Sequence, residues 1–99
     1  MLMIKKTAEN GKATLALEGR LDTGTAPEME SAVKEILPGL TELTMDFSKL
    51  DYISSAGLRV LLSAQKIMSN QGEMKLTHVS DAIKDIFEVT GFTEILTIV

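Results

Sequence analysis

The chain has 99 residues, of which 44% are hydrophobic and 24% charged, a composition typical of one folded domain rather than a disordered segment. Its net charge of -4 and its lack of a basic cluster argue against direct binding of nucleic acid. Cysteine is absent, which excludes disulfides, thiolate catalysis and cysteine-ligated metal sites. We therefore expect a single domain over residues 1–99.

The start of the chain has no basic leader followed by a long apolar stretch, so we expect no signal peptide. No apolar run is long enough to span a bilayer. These two absences predict a cytoplasmic protein that has no membrane partner.

Residues 2–8 and 12–18 are predicted to form two strands. In the second segment Ala13, Leu15 and Leu17 alternate with small or polar residues, which is typical of a strand with one buried face. The intervening Glu9-Asn10-Gly11 contains Asn-Gly, a strong hairpin signal. The chain should therefore begin with an antiparallel hairpin.

A first helix is predicted to start at Thr25. The Thr25 side chain can cap free backbone N–H groups, Glu28 can complete a capping box, and Pro27 lies in the first turn, where proline is tolerated. Pro38-Gly39 should end the helix. Its apolar residues recur at helical spacing on one face, and they are Met29, Ala32, Val33, Ile36 and Leu37.

Residues 43–47 alternate over a short apolar stretch and predict a third strand, followed by a loop. A second helix should start at Ser54 or Ser55 and run to about residue 70, where Gln71-Gly72 ends it. Its apolar residues cover more than one face, so we expect the most buried helix of the three. They are Leu58, Val60, Leu61, Leu62, Ala64, Ile67 and Met68.

The last part of the chain predicts a fourth strand over residues 73–78, a third helix capped by Ser80, and a fifth strand over residues 94–99. Gly91 fits the left-handed position after the third helix. The order ββαβαβαβ predicts an α/β fold, with a mixed sheet of about five strands packed with three to four helices. The later strands should be parallel because helices join them.

The stretch over residues 46–62 is the most informative for function. Two serines lie where the second helix begins, and the first turn of a helix has unpaired N–H groups and a partial positive charge. A hydroxyl there can cap the helix, or it can carry a phosphate that the N–H groups stabilise. These physical arguments do not choose between Ser54 and Ser55.

The same stretch resembles the signature of STAS domains, which are named after sulfate transporters and anti-sigma factor antagonists. Asp46 and Ser48 match the Asp-x-Ser of this family at a strand end, and Ser55, Gly57 and Leu58 match its Ser/Thr-x-Gly-Leu at a helix start. Upstream, a match to the family's Gly-x-Leu-Asp is found in Gly19-Arg20-Leu21-Asp22. The predicted element order agrees over essentially the whole chain.

This resemblance implies a stand-alone bacterial anti-sigma factor antagonist that regulates transcription by partner switching. It implies that an anti-sigma factor serine kinase phosphorylates Ser55, that only the unmodified protein binds this kinase and frees the sigma factor, and that a serine phosphatase restores binding. The chain departs from many family members at Ser54, which replaces an aspartate, and at Ala56, which replaces a second Ser or Thr. Ser54 is therefore a competing phosphorylation site.

Four further residues are expected to lie around Ser55. Asp22 and Asp46 should form a polar pocket that positions its hydroxyl, unless they serve only as turn or strand-end residues. Gly57 belongs to the same signature. Arg59, one helical turn on, is either an exposed helix residue or a contact to the partner or phosphate.

Other classes of function are less well supported. The single histidine, His78, and the absence of cysteine give neither a catalytic constellation nor a zinc site, and no glycine-rich phosphate loop is present. We expect no enzyme activity, cofactor or metal. The alternatives are a STAS-type interaction module of another partner-switching or sensory complex, or a STAS module that binds a small molecule or nucleotide. A chain that begins and ends with the predicted domain favours the free regulator.

Overall fold

The computed structural model describes all 99 residues and contains one mixed sheet with three α-helices. The strands are β1 (Leu2–Glu9), β2 (Lys12–Leu21), β3 (Glu42–Ile53) and β4 (Glu73–Thr77). The helices are α1 (Ala26–Ile36), α2 (Ser55–Ser69) and α3 (Asp81–Thr90), and a 3-10 turn follows at Phe92–Glu94. No helix is both long and apolar enough to cross a membrane.

The strands lie in the order β1-β2-β3-β4. β1 and β2 are antiparallel, and the turn between them has positive φ angles at Asn10 (51°) and Gly11 (79°), as a tight two-residue hairpin requires. β2 with β3 and β3 with β4 are parallel because α1 and α2 carry the chain back across the sheet. The predicted mixed α/β class, the hairpin and the parallel strands are confirmed.

The buried side chains of the sheet point to one face. Ala13 pairs with Leu43, which pairs with Met74, and the next inward row is Leu15, Met45 and Leu76. These rows form one continuous hydrophobic cluster with side chains of all three helices, including Met29, Leu61 and Phe87. The helices therefore cover this face, and the opposite face carries half-buried or exposed side chains such as Thr14, Thr44 and Lys75.

The predicted register of α2 is confirmed, because Leu58 and Leu61 are buried and Leu62 is half-buried. α2 also has the largest number of buried residues of the three helices.

The predicted fifth strand is wrong. After α3, Gly91 takes a left-handed conformation (φ 80°) and the chain enters the 3-10 turn, after which Leu96 is buried. Residues 97–99 pair with the sheet at Leu76 alone, so no ladder of strand pairs forms. They form a single parallel bridge, in which the Leu76 N–H donates to the Thr97 carbonyl at 2.8 Å and the Val99 N–H to the Leu76 carbonyl at 3.0 Å.

The predicted ends of β2 and β3 are also wrong, because both strands continue further along the chain. The β2–β3 register shifts twice, so that Ala16 pairs with Asp46 but Arg20 pairs with Tyr52. β3 therefore contains extra, bulged residues that interrupt the alternation of buried and exposed side chains. A strand without that alternation resembles a loop in the sequence.

Candidate functional site

Ser54 connects the end of β3 to the start of α2 and caps the helix. Its backbone N–H donates to the Leu21 carbonyl at 2.9 Å, which joins the start of α2 to the end of β2. Its hydroxyl oxygen accepts a hydrogen bond from the Gly57 N–H at 3.3 Å. The half-buried Ser54 side chain thus satisfies one of the unpaired N–H groups of the first helical turn.

Ser55 is the first residue of α2 and is exposed. Its hydroxyl takes part in no side-chain hydrogen bond, whereas the neighbouring Ser54 hydroxyl is engaged in the cap. The physical arguments from the sequence did not choose between the two serines, but the structure distinguishes them, because only the Ser55 hydroxyl is free of the cap hydrogen bond.

Gly57 allows the first turn of α2 to pack directly on the sheet. A Cβ atom at this position would lie 2.7 Å from Leu21 Cγ and 2.9 Å from Ile53 Cγ1, closer than carbon atoms can approach. Glycine therefore sets the separation between the helix start and the ends of β2 and β3.

Asp22 follows β2 and forms a tight turn beside the start of α2. Its Oδ1 atom accepts from the N–H groups of Gly24 and Thr25, each at 3.0 Å. The hydrogen bond from the Thr25 N–H is the main cause that lowers the pKa of Asp22 below its ordinary value. Because Ser54 bonds to Leu21, this turn lies next to the serines.

The predicted capping role of Thr25 is wrong. Its side chain makes no bond to an N–H group of α1. The hydroxyl is buried instead, donates to the Arg20 carbonyl at 2.8 Å, and accepts from the Asp22 N–H at 2.9 Å. Thr25 therefore closes the turn around Asp22, and Glu28 is exposed, without the predicted capping box.

Two charged side chains flank this end of the sheet. The Arg20 guanidinium stacks on the Tyr52 ring, 4.4 Å from its centroid, and its Nε lies 3.7 Å from Asp22 Oδ2. The sequence did not single out Tyr52, because its pairing with Arg20 depends on the shifted register of β3. Arg59 on α2 is exposed and makes no ion pair.

The predicted position of Asp46 beside Ser55 is wrong. Asp46 pairs with Ala16, five residues before the Leu21 that contacts Ser54, and five residues of strand span roughly 17 Å. Its Oδ1 atom accepts from the Ser48 N–H at 2.9 Å and lies 3.2 Å from Nδ1 of His78. The Ser48 hydrogen bond is the main cause that lowers the pKa of Asp46, and His78 contributes less.

A groove of about 330 Å³ lies between α1 and α2, next to the exposed serine. The groove is open and its lining is of mixed polarity, whereas sites for small molecules are usually enclosed and mostly apolar. It therefore suits contact with a protein better than binding of a small molecule. No group of three or more His, Asp or Glu side chains is arranged to hold a metal ion. The groove is lined by Thr23, Ala26, Pro27, Glu30, Ala56, Arg59, Val60 and Ser63.

Sequence comparison relates the chain to regulators. Residues 4–98 match the protein family described as Mlab, STAS domain. BtrV of Bordetella bronchiseptica, named as an anti-sigma factor antagonist, is 33% identical over 91 residues, which cover 90% of this chain and 78% of BtrV. The anti-sigma-B factor antagonist of Listeria monocytogenes is 29% identical over 96 residues, covering 94% and 83%.

Solved structures show the same fold. An anti-sigma factor antagonist from Mycobacterium paratuberculosis has a TM-score of 0.89 at 18% identity, over 99% of this chain and 85% of that chain. SpoIIAA, described as a Bacillus cell fate determinant, is solved in two forms, each 15% identical to this chain. The unphosphorylated form gives a TM-score of 0.77 over 98% and 87% of the two chains. The phosphorylated form gives 0.74 over 100% and 91%.

Proposed function

The chain belongs to the STAS domain family of anti-sigma factor antagonists, and we propose that phosphorylation of Ser55 switches its binding to an anti-sigma factor. In this proposal the anti-sigma factor is a serine kinase. The unmodified protein binds it and so releases the sigma factor, the kinase inactivates the antagonist by phosphorylating Ser55, and a serine phosphatase restores it. The chain acts as one STAS domain in the cytoplasm.

The observation that carries this proposal is the difference between the two serines. Ser55 is exposed at the first position of α2 with a free hydroxyl, whereas Ser54 is half-buried and caps the helix through Gly57. A kinase must reach the hydroxyl that it modifies. The existence of SpoIIAA in unphosphorylated and phosphorylated forms with this same fold supports a modification that leaves the fold intact.

The position of Ser55 favours a switch of binding over a switch of folding. Phosphorylation adds about -1.5 to -2 charges near pH 7. The amino-terminal end of α2 tolerates negative charge, with a favourable interaction of about 0.3–1 kcal/mol at an exposed position. A partner that covers Ser55 must instead strip water from the phosphate, and mispaired charge at an interface costs on the order of several kcal/mol. The modified protein should thus stay folded and stop binding.

In the proposed switch this chain carries out no catalysis, in keeping with relatives that are named as anti-sigma factor antagonists. Purified protein should not turn over ester, phosphate or nucleotide substrates. Turnover that is lost in Ser55→Ala would contradict this part of the proposal.

The direct test starts from the unmodified protein as bait in a lysate of its own organism. A captured serine kinase is identified by mass spectrometry, purified, and incubated with the protein and ATP. Phosphate should map to Ser55, Ser55→Ala should bind the kinase but resist phosphorylation, and Ser54→Ala should still be phosphorylated. Phosphate on Ser54, or undiminished binding by the phosphorylated protein, would overturn the assignment.

A further inference from the structure

The chain has two arginines, Arg20 and Arg59, and both lie at the end of the molecule that carries Ser55. Arg20 is already engaged, because it stacks on Tyr52 and lies 3.7 Å from Asp22. Arg59 is exposed and forms no ion pair, although Glu30 lines the same groove. Arg59 is therefore the arginine at this end whose guanidinium is free to bind another anion.

The spacing between Ser55 and Arg59 brings their side chains together on α2. Residues four apart on a helix are neighbours on one face, with Cβ atoms about 5–6 Å apart. Helical side chains lean toward the amino terminus, which puts the turn that contains Ser55 within reach of the Arg59 side chain. A phosphate on the Ser55 oxygen would extend toward the same space.

We propose that Arg59 binds the phosphate of phosphorylated Ser55 within the same helix, an inference that rests on the phosphorylation proposed above. The guanidinium can donate two parallel hydrogen bonds to phosphate oxygens, which a lysine cannot do. This pairing of Arg59 with the phosphate holds the phosphate over the first turns of α2. It also withdraws the Arg59 guanidinium from the groove between α1 and α2, so one modification changes two groups that a partner would meet.

The test uses the full chain with phosphoserine incorporated at position 55 by genetic encoding, so that no kinase is needed. The second pKa of phosphoserine, ordinarily about 6, is measured by phosphorus NMR titration. A nearby guanidinium stabilises the doubly charged form of the phosphate and so lowers this pKa. Arg59→Gln should therefore raise this pKa by about 0.3 unit or more relative to the unsubstituted phosphoprotein. Arg59→Lys should give an intermediate value, because it keeps the charge and loses the paired donors.

Lys66→Gln is the matched control. It removes the same charge from the same exposed helix, eleven residues from Ser55, or roughly 16 Å along the axis, beyond the Debye length of about 8 Å at physiological salt. Lys66→Gln should leave the phosphoserine pKa unchanged. Equal shifts in the two glutamine variants, or no shift in Arg59→Gln, would overturn the inference. A kinase that ignores Ser55 would overturn the proposed function while leaving this titration as it is.

Discussion

Asp22 and Asp46 make the same local arrangement in two regions of the sheet. Each carboxylate accepts a backbone N–H two residues further along the chain, from Gly24 at 3.0 Å and from Ser48 at 2.9 Å, and in each the pKa is lowered by backbone hydrogen bonds. Asp22 lies where β2 ends against the start of α2. Asp46 lies within β3, next to His78.

This difference shows that the same hydrogen-bond arrangement of an aspartate occurs both beside the candidate site and far from it. The hydrogen bond of Asp46 supports a bulged strand roughly 17 Å from the start of α2, whereas that of Asp22 shapes the turn beside the exposed Ser55. The Asp-x-Ser match at Asp46 and the upstream Gly-x-Leu-Asp match that ends at Asp22 therefore lie in different regions, and matched changes in both regions test the difference.

The largest expected effect is on partner binding. Ser55→Asp places a negative charge at the start of α2, where it should weaken binding to the captured kinase by about a hundredfold or more, the equivalent of several kcal/mol. Ser48→Asp places the same charge on an exposed residue of the other region and should bind almost normally. Calorimetry with the purified kinase measures both affinities, and circular dichroism verifies that both variants are folded.

Equal losses of affinity in these two variants would contradict the distinction between the regions. They would show that the partner responds to the net charge of the protein rather than to charge at Ser55.

The next effect is on stability. Gly57→Ala places a methyl group 2.7 Å from Leu21 Cγ and should destabilise the fold by about 1–3 kcal/mol through overpacking. Gly24→Ala makes the same change in the neighbouring Asp22 turn, where the closest contact is an ordinary 3.5 Å, and should change stability by less than about 0.5 kcal/mol. Urea denaturation measures both. A larger loss in Gly24→Ala than in Gly57→Ala would contradict the close-packing role of Gly57.

The sequence predicted most of the elements, because hairpin, helix and cap signals are local. Asn10-Gly11, the cap at Ser80, the start of α2 at Ser54 or Ser55, and the left-handed Gly91 depend on residues close to them in the chain. The end of β3 and the position of Asp46 were wrong because they depend on register shifts against β2, which no local pattern records. The fifth strand was wrong because a short apolar segment is also compatible with one anchored residue, Leu96.

Prediction of the candidate site was limited in the same way, because some of its contacts also depend on the folded structure. The helix-start pattern did not show which serine caps α2, because that depends on which hydroxyl faces the Gly57 N–H, and only the family resemblance pointed to Ser55 as the modified residue. It assigned Thr25 to a capping box, whereas the buried Thr25 hydroxyl bonds to Arg20 and Asp22. The pairing of Arg20 with Tyr52 also required the folded sheet.

A smaller effect separates capping from phosphorylation. Ser54 and Ser80 each cap a helix through a backbone N–H at 3.3 Å, so Ser54→Ala and Ser80→Ala should each destabilise the protein by about 1 kcal/mol. Thermal denaturation measures this loss. Phosphate should remain on Ser55 in both variants, as mapped by mass spectrometry. Loss of phosphorylation in Ser54→Ala alone, with stability unchanged, would contradict a capping role for Ser54.

The smallest effect is the dependence of stability on pH, which the two aspartates should share. The folded protein lowers the pKa of both Asp22 and Asp46 below the ordinary value of 3.8, mainly through backbone N–H donors. As the pH falls, the unfolded chain therefore takes up protons before the folded protein does, and stability decreases. The contribution is complete above pH 3.8 and is lost as the pH falls through the lowered values.

Urea unfolding between pH 7 and pH 3 should show a shallower acid loss of stability in Asp22→Asn and in Asp46→Asn, because the amide oxygen still accepts the hydrogen bond but does not titrate. Asp46→Asn should also remove the attraction to His78. If both variants keep the full acid dependence of the unsubstituted protein, the carboxylates of the two turns do not contribute to it.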